Sequence, residues 1–386
     1  MHLMIPGPVP VGPEVLAASS GAPPSHVAPD FIERFGQALR DVRAVWEADD
    51  SSQPFVLPGA GTLAMEAAAT NVVAPGDVVV QVITGLFGDR MAEMLRRRGA
   101  TVVEVRSPLG EGPDLSAVQQ ALEAHRPVAL FATHVDTSTG VCLDPAPLAR
   151  LATEHGALSV FDGVCAAAAE RFEMGAWGAD IYLTASQKAL SVAPGLALWV
   201  MSERALERRR GLAVPPPMTL DALEWLPVMR AYEEGRGAYF STPATGLVQG
   251  LAVSLSGLAA EGMASVAARH RHVAGRLRSA WAAMGLSLVA AEGVRAHTLS
   301  ALSYPSGVDA SLLAAVKARG VVIAGGLHPE LKTRTFRVGH MGWAIGQEAM
   351  LRDTVAAVAG GLADVGHDVD AEAAVEAFSR GAAAAG

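Results

Sequence analysis

The chain has 386 residues, 51% hydrophobic and 18% charged, which suits two domains with well-filled cores and argues against disorder except at the ends. Its net charge is −9 with no Lys/Arg block, so nucleic acid is not an expected partner, and it contains no run of about 18 apolar residues that would span a membrane. Two cysteines, Cys142 and Cys165, are too few for a disulfide framework and lack metal-ligand spacing, so no metal is expected and a reducing cytoplasm is the expected location.

Residues 1–20 are rich in Pro and Gly and read as an extended arm; the prolines and the missing basic region argue against a signal peptide. Helical periodicity follows from about 30 to 48. "PFVLPGAG" is a short strand entering a glycine loop, and "TLAMEAAATNVV" is a helix leaving it. Strands and helices then alternate: "DVVVQVI", "FGDRMAEMLRRRG", "TVVEVR", "LSAVQQALEAH", "PVALFATHV", "DPAPLARLATEHG" and "ALSVFDGV", with two further strands in "DIYLTAS" and "GLALWVMS". The clusters "RRR" (96–98, 208–210) and "HRH" (270–272) read as solvated helix faces. A long helical stretch from 245 to 285 bridges into a smaller α+β part, and the Ala-rich end is expected to fray.

The strands are apolar runs rather than alternating patterns, which predicts an α/β fold: a mainly parallel sheet covered by helices, with a smaller C-terminal α+β domain. The expected divisions are an arm at 1–20, a large domain at 21–255, a small domain at 256–372 and a tail at 373–386.

Ligands of open parallel sheets bind beyond the carboxyl ends of the strands. Four strands here deliver polar groups to that edge: "GAGT" after "PFVLP", "DTSTG" after "PVALFATHV", Asp162 after "ALSVF", and "SQK" after "DIYLTA". The "GAGTLAME" turn offers free N–H groups at a helix N-terminus, suited to a phosphate; a turn that merely needs glycine is the alternative. Asp162 would be costly unpaired at a strand end, and a cationic ligand nitrogen would relieve that cost; a local capping bond is the alternative. Lys188, in "TASQKALSVAPG", has no charged neighbour in sequence. Burial disfavours an ammonium, and a neutral amine attacks carbonyls; an ordinary surface lysine is the alternative. Together the three ask for a phosphate, a basic ring nitrogen and an aldehyde, which pyridoxal 5'-phosphate combines.

From "PGPVPVGPEVL" to "FRVGHMG", the order of these motifs resembles the class V (fold type I) aminotransferases that use pyridoxal phosphate, most closely the alanine–glyoxylate and serine–pyruvate group. The resemblance implies that Lys188 of "SQKAL" joins the cofactor aldehyde covalently, that Gln187 contacts the region of the ring hydroxyl, that Asp162 pairs with the ring nitrogen and that Val164 packs under the ring. It places the phosphate on Gly61 and Thr62, although Ala60 stands where the family often has a hydroxyl. It sets Phe87 of "TGLFGDR" on the ring where Trp is common, Thr137 of "HVDTSTG" beside it, and Arg337 of "FRVGHMG" on the substrate carboxylate. Tyr239 and Thr242 of "YFSTPAT", and His26 of "PPSHVAPDF", would reach the cavity of a partner subunit, so a homodimer with a shared site is implied.

The expected activity is transfer of an amino group from a small amino acid, alanine or serine, to a 2-oxo acid such as glyoxylate or pyruvate, by a ping-pong mechanism. Alternatives are a pyridoxamine–pyruvate transaminase on the same scaffold, a lyase or desulfurase, and a non-catalytic binding protein. A desulfurase needs a cysteine on a mobile C-terminal loop, and both cysteines here lie earlier, Cys165 in a position that reads as packed.

Overall fold

The computed structural model describes residues 1–380. Its centre is a seven-stranded sheet in the spatial order Gln53–Pro58, Leu196–Met201, Ile181–Ala185, Leu158–Asp162, Ala129–Thr133, Val78–Ile83, Thr101–Arg106. Leu196–Met201 runs antiparallel to both of its neighbours, and the other four pairings are parallel. Every residue of the four strands from Ala129–Thr133 to Leu196–Met201 in that order is buried. Helices cover both faces, which is why these strands show no polar alternation.

Four helices position the site: α1 (Pro13–Ser19), α2 (Pro29–Val45), α3 (Gly61–Val72) and α4 (Leu86–Arg97). Pro29 opens α2 where a missing N–H costs nothing. Phe31, Phe35, Leu39 and Val42 recur along the buried face of α2, and Phe35 meets the Tyr232 ring at 4.7 Å between centroids. α3 turns small residues inward (Ala64, Ala67, Ala68), which lets it lie close to the sheet.

A second core is built around Val273, Leu277, Trp281, Leu312, Phe336, Val338, Leu351 and Phe378. It covers a three-stranded antiparallel sheet in which Thr335–Gly339 lies between Leu299–Ser303 and Ala324–Gly325.

Four details differ from the sequence reading. The arm is not simply extended. His2–Leu3 pairs with Val321–Val322, Met4 enters the second core, and Pro13–Ser19 is helical. The long helical stretch breaks at Gly262, whose φ of +80 ends one helix (Thr245–Glu261) and turns the chain by 91° into the next (Met263–Ala283). His270 is no surface residue: it is 1% exposed, its Nδ1 lies 2.8 Å from the Val266 carbonyl, and its Nε2 accepts from the Gly342 N–H. The tail expected to fray is a helix over Ala371–Arg380, held by buried Ala374 and Phe378; residues 381–386 lie outside the described residues. Arg276 secures that helix, with its guanidinium 3.9 Å over the Phe378 ring and both terminal nitrogens on Glu348.

No single helix among the described residues is long and apolar enough to cross a membrane. No group of three or more potential metal ligands is gathered there either.

Candidate active site

A cavity of about 150 Å³ opens at the carboxyl ends of the parallel strands. Eight residues singled out from the sequence line it: Gly61, Thr62, Phe87, Thr137, Asp162, Val164, Gln187 and Lys188.

The strand Gln53–Pro58 runs into Gly59 and Ala60, and α3 starts at Gly61. Ala60 has no side chain to cap the helix, and the N–H groups of Gly61 and Thr62 have no acceptor among the described residues. A Cβ on Gly61 would lie 2.9 Å from a Val164 methyl carbon, so the glycine lets the valine close the cavity floor.

Asp162 ends its strand 2% exposed. Its Oδ1 accepts from the Val164 N–H at 2.9 Å, and no cation pairs with it among the described residues. Burial pushes this carboxyl up to about 6, against the Val164 bond; buried Asp136 adds to the rise, while Lys188 and Arg90 oppose it. The site therefore holds a carboxylate poised for a cationic partner.

The strand Ile181–Ala185 delivers Gln187 and Lys188 on a tight turn. The Ser186 hydroxyl donates to the Ala193 carbonyl and accepts from the Leu196 N–H, and the Lys188 carbonyl accepts from the Ser191 N–H. Gln187 Oε1 is buried with no partner. Lys188 Nζ donates to the Pro6 carbonyl at 2.5 Å. Gly7 makes this possible: its φ is +118, and a Cβ there would lie 2.5 Å from Nζ.

Asp136 is buried and serves α4. It accepts from the N–H groups of Phe87 (2.8 Å) and Ser138 (2.9 Å) and from the Ser138 hydroxyl (2.5 Å), while the Ser138 hydroxyl oxygen accepts from the Leu86 N–H. This fixes the start of α4, and with it the Phe87 ring, at the cavity wall. Desolvation raises the Asp136 carboxyl above its ordinary range, and the hydrogen bonds from Ser138, Phe87 and Gly88 offset part of that rise.

Arg337 projects from the small-domain strand Thr335–Gly339. Its Nε donates to the Gly325 carbonyl at 2.9 Å, and one terminal nitrogen lies 3.3 Å from Thr137 Oγ1. The other terminal nitrogen has no acceptor, and no carboxylate pairs with the guanidinium, among the described residues. Burial lowers its affinity for the proton, partly countered by Cys165 and Asp136. Arg337 thus meets the cavity through Thr137, ready for an anion.

Tyr239, Thr242 and His26 do not line the cavity of their own chain. Tyr239 is 65% exposed and lies 5.3 Å, ring to ring, from His26; Thr242 is exposed in the same loop.

The sequence reading missed Asp136, Arg90, and the Pro6–Gly7 corner. "DTSTG" carries a usable signal, since Asp-x-Ser is a common local capping pattern, whereas the family resemblance selects Thr137 from the same segment. Pro6 and Gly7 reach Lys188 only through long-range folding. Cys165, read as packed, is buried and also lines the cavity.

A Lys, an Asp, an unpaired Arg and a helix start with free N–H groups gather at the edge of a parallel sheet next to the second core, an arrangement able to support amine–carbonyl chemistry. Residues 16–343 match the family "Aminotransferase class-V", and the chain belongs to that family. It is 36% identical to alanine–glyoxylate aminotransferase 1 of Saccharomyces cerevisiae, over 88% of this chain and 91% of the relative. It is 33% identical to L-aspartate–glyoxylate aminotransferase of Paracoccus denitrificans, over 94% and 91%. Among solved structures, pyridoxamine–pyruvate aminotransferase of Mesorhizobium loti superposes with a TM-score of 0.93 at 27% identity, covering 100% of this chain and 98% of that one. The fold is that of the fold type I aminotransferases, and the protein is an aminotransferase.

Proposed function

We propose that this aminotransferase uses pyridoxal 5'-phosphate to move an amino group from a small amino acid, alanine or serine, to glyoxylate or pyruvate. The observation that carries the cofactor reading is that Lys188 and Asp162 face one cavity and neither has an ion-pair partner among the described residues. The fit extends to the free N–H groups of Gly61 and Thr62 and to the orphaned Gln187 oxygen. When bound, the group supplies an aldehyde for amines and a ring that withdraws electrons from the substrate's Cα–H bond.

The residues then divide the work. Gly61 and Thr62 hold the phosphate through main-chain N–H groups at the start of α3. Asp162 would keep the ring nitrogen protonated, Phe87 and Val164 would flank the ring, and Thr137 and Gln187 would contact its polar edge. Lys188 would hold the group at its aldehyde carbon and, with the substrate amine in place, would take and return the α-proton at Nζ. Arg337 grips the substrate carboxylate and so fixes the Cα–H bond relative to the ring.

Tyr239 and Thr242 are exposed and half-buried His26 packs on the Tyr239 ring, which supports assigning the three to the cavity of a partner subunit in a homodimer. The cytoplasm is the proposed location. The substrate reading rests on the glyoxylate-using relatives and on Arg337, a single guanidinium held at the Thr137 end of the cavity.

A second reading, transamination between pyridoxamine and pyruvate, is favoured by the likeness to the Mesorhizobium enzyme and by Ala60 in the phosphate loop. Mass analysis of the bound chromophore separates the two. A phosphorylated vitamer retained through purification supports the first, and an unphosphorylated vitamer turned over as substrate supports the second. A screen of amino donors and oxo acids then identifies the substrate pair.

A further inference from the structure

We propose that Arg90 is the counter-cation of the cofactor phosphate and makes this cavity selective for a phosphorylated vitamer. This rests on the pyridoxal-phosphate reading above and extends it to a residue that neither the motif order nor the family resemblance singled out.

The charged residues of α4 other than Arg90 have protein partners. Asp89 binds Arg106, Glu93 binds Arg97, and Arg96 binds Glu104. Arg98, just past the helix, donates to the main-chain carbonyls of Val73 and Val214. Arg90 makes no hydrogen bond or salt bridge among the described residues, yet it lines the cavity. Its guanidinium carbon stands 4.7 Å from the centroid of the Phe87 ring. Such stacking limits the side chain's rotamers, so less freedom remains to be lost on binding an anion.

Position decides which anion. Arg90 and Thr62 share a wall of this cavity and also of the groove between α3 and α4, so Arg90 stands at the end where the free N–H groups of Gly61 and Thr62 emerge. Arg337 stands elsewhere, on Thr137. A substrate carboxylate held by Arg337 therefore leaves Arg90 free.

Charge balance points the same way. The lining residues carry two cations, Arg90 and Lys188, and one carboxylate, Asp162. Asp162 is matched by a protonated ring nitrogen, Lys188 is consumed in the covalent bond, and Arg337 is matched by the substrate carboxylate. A phosphate dianion and Arg90 remain; the guanidinium offsets one of its two charges, and the free N–H groups of Gly61 and Thr62 face the other. Ala60 supplies no hydroxyl in the loop, so a guanidinium takes over that share of phosphate recognition.

The test is absorbance titration of apoprotein with pyridoxal phosphate and with pyridoxal, for wild type, Arg90→Gln and Arg90→Lys, with inorganic phosphate as competitor. Expected for Arg90→Gln is a Kd for pyridoxal phosphate raised about tenfold to a hundredfold, the loss of one charge-assisted contact, with pyridoxal binding unchanged and phosphate competition weakened. Arg90→Lys keeps the charge without the fork, and its loss should be smaller; it carries the test should the glutamine variant melt below the assay temperature.

Wild-type affinity for pyridoxal phosphate in both variants overturns the role of Arg90 and leaves the cofactor reading intact. Equal weakening toward both vitamers also overturns it, because Arg90 would then act through the Phe87 ring. A wild-type protein that binds pyridoxal but not its phosphate overturns both this inference and the cofactor reading.

Discussion

Lys188 and Pro6, 182 positions apart in the chain, meet where the lysine lines the cavity: Nζ donates to the Pro6 carbonyl at 2.5 Å. The N-terminal segment thus crosses from the second core, where Met4 accepts from the Gly339 N–H, to the turn that carries Lys188, where Val9 donates to the Gln187 carbonyl. Gly7 gives the corner its clearance. Gly7→Ala is expected to strain the positive φ and displace Nζ. The protein should still fold, and the fraction of sites trapped by borohydride reduction with pyridoxal phosphate should fall at least about tenfold, roughly 1.4 kcal/mol of lost positioning. Undiminished trapping would show that the arm does not position Lys188.

Asp162 makes the apoprotein pH-sensitive in a defined direction. Its carboxyl is raised from 3.8 to about 6 by burial, so its protonated form favours the folded state. The sign follows: its contribution is fully present below about pH 4 and is lost as the pH rises through about 6. At neutral pH the loss is about 3 kcal/mol. Asp162→Asn should remove this dependence and make the apoprotein at pH 7 at least as stable as wild type, while weakening cofactor binding. Denaturant unfolding of both apoproteins across that pH range checks it; parallel pH profiles would contradict it.

Asp136 is expected to act on stability and on the ring wall together. Asp136→Ala leaves the buried N–H groups of Phe87 and Ser138 without their acceptor and uncaps α4. A loss of about 2–4 kcal/mol is expected in denaturant unfolding, with weaker binding of pyridoxal and pyridoxal phosphate alike. A loss below about 0.5 kcal/mol would show that water replaces the carboxylate without cost.

Arg337→Lys should separate substrate from cofactor. Lysine cannot reproduce the guanidinium fork, so KM for the amino donor should rise about tenfold or more while the Kd for pyridoxal phosphate stays the same. An unchanged KM would move the carboxylate site elsewhere.

The shared site has its own test. Tyr239→Ala/Thr242→Ala chains and Lys188→Ala chains should each be nearly inactive. Unfolded together and refolded, they should recover about a quarter of wild-type activity, because half of a random mixture is mixed dimer and each mixed dimer rebuilds one intact site. No recovery, with dimers formed, would place those residues outside the partner's cavity.

Much of the fold was legible because parallel strands buried on both faces read as apolar runs, and each strand's last residue announces the site. Asp162, Lys188 and the Gly61 turn were found that way. Gly262 was legible in principle, since a glycine after a helical run is the usual stop, but the apolar periodicity continues on both sides of it. His270 sits between two arginines on a helix whose polar residues gave no clear face; only docking against Gly342 buries it. The contacts of Pro6, Asp136 and Arg90 depend on the approach of elements distant in sequence, and no local pattern encodes them. The tail helix is ordered by Phe378 and Arg276, a pairing across 102 positions that alanine content hides.

The most direct measurement is a single half-reaction. Purified protein saturated with pyridoxal phosphate is mixed with L-alanine, L-serine or the best donor from the screen, with no oxo acid, and both the chromophore and the 2-oxo acid are followed. Expected is one equivalent of oxo acid per site, conversion of the chromophore to the pyridoxamine form, and reversal by glyoxylate or pyruvate, all abolished in Lys188→Ala. Turnover that Lys188→Ala retains in full, or no oxo acid from any donor by the wild type, would contradict the assignment.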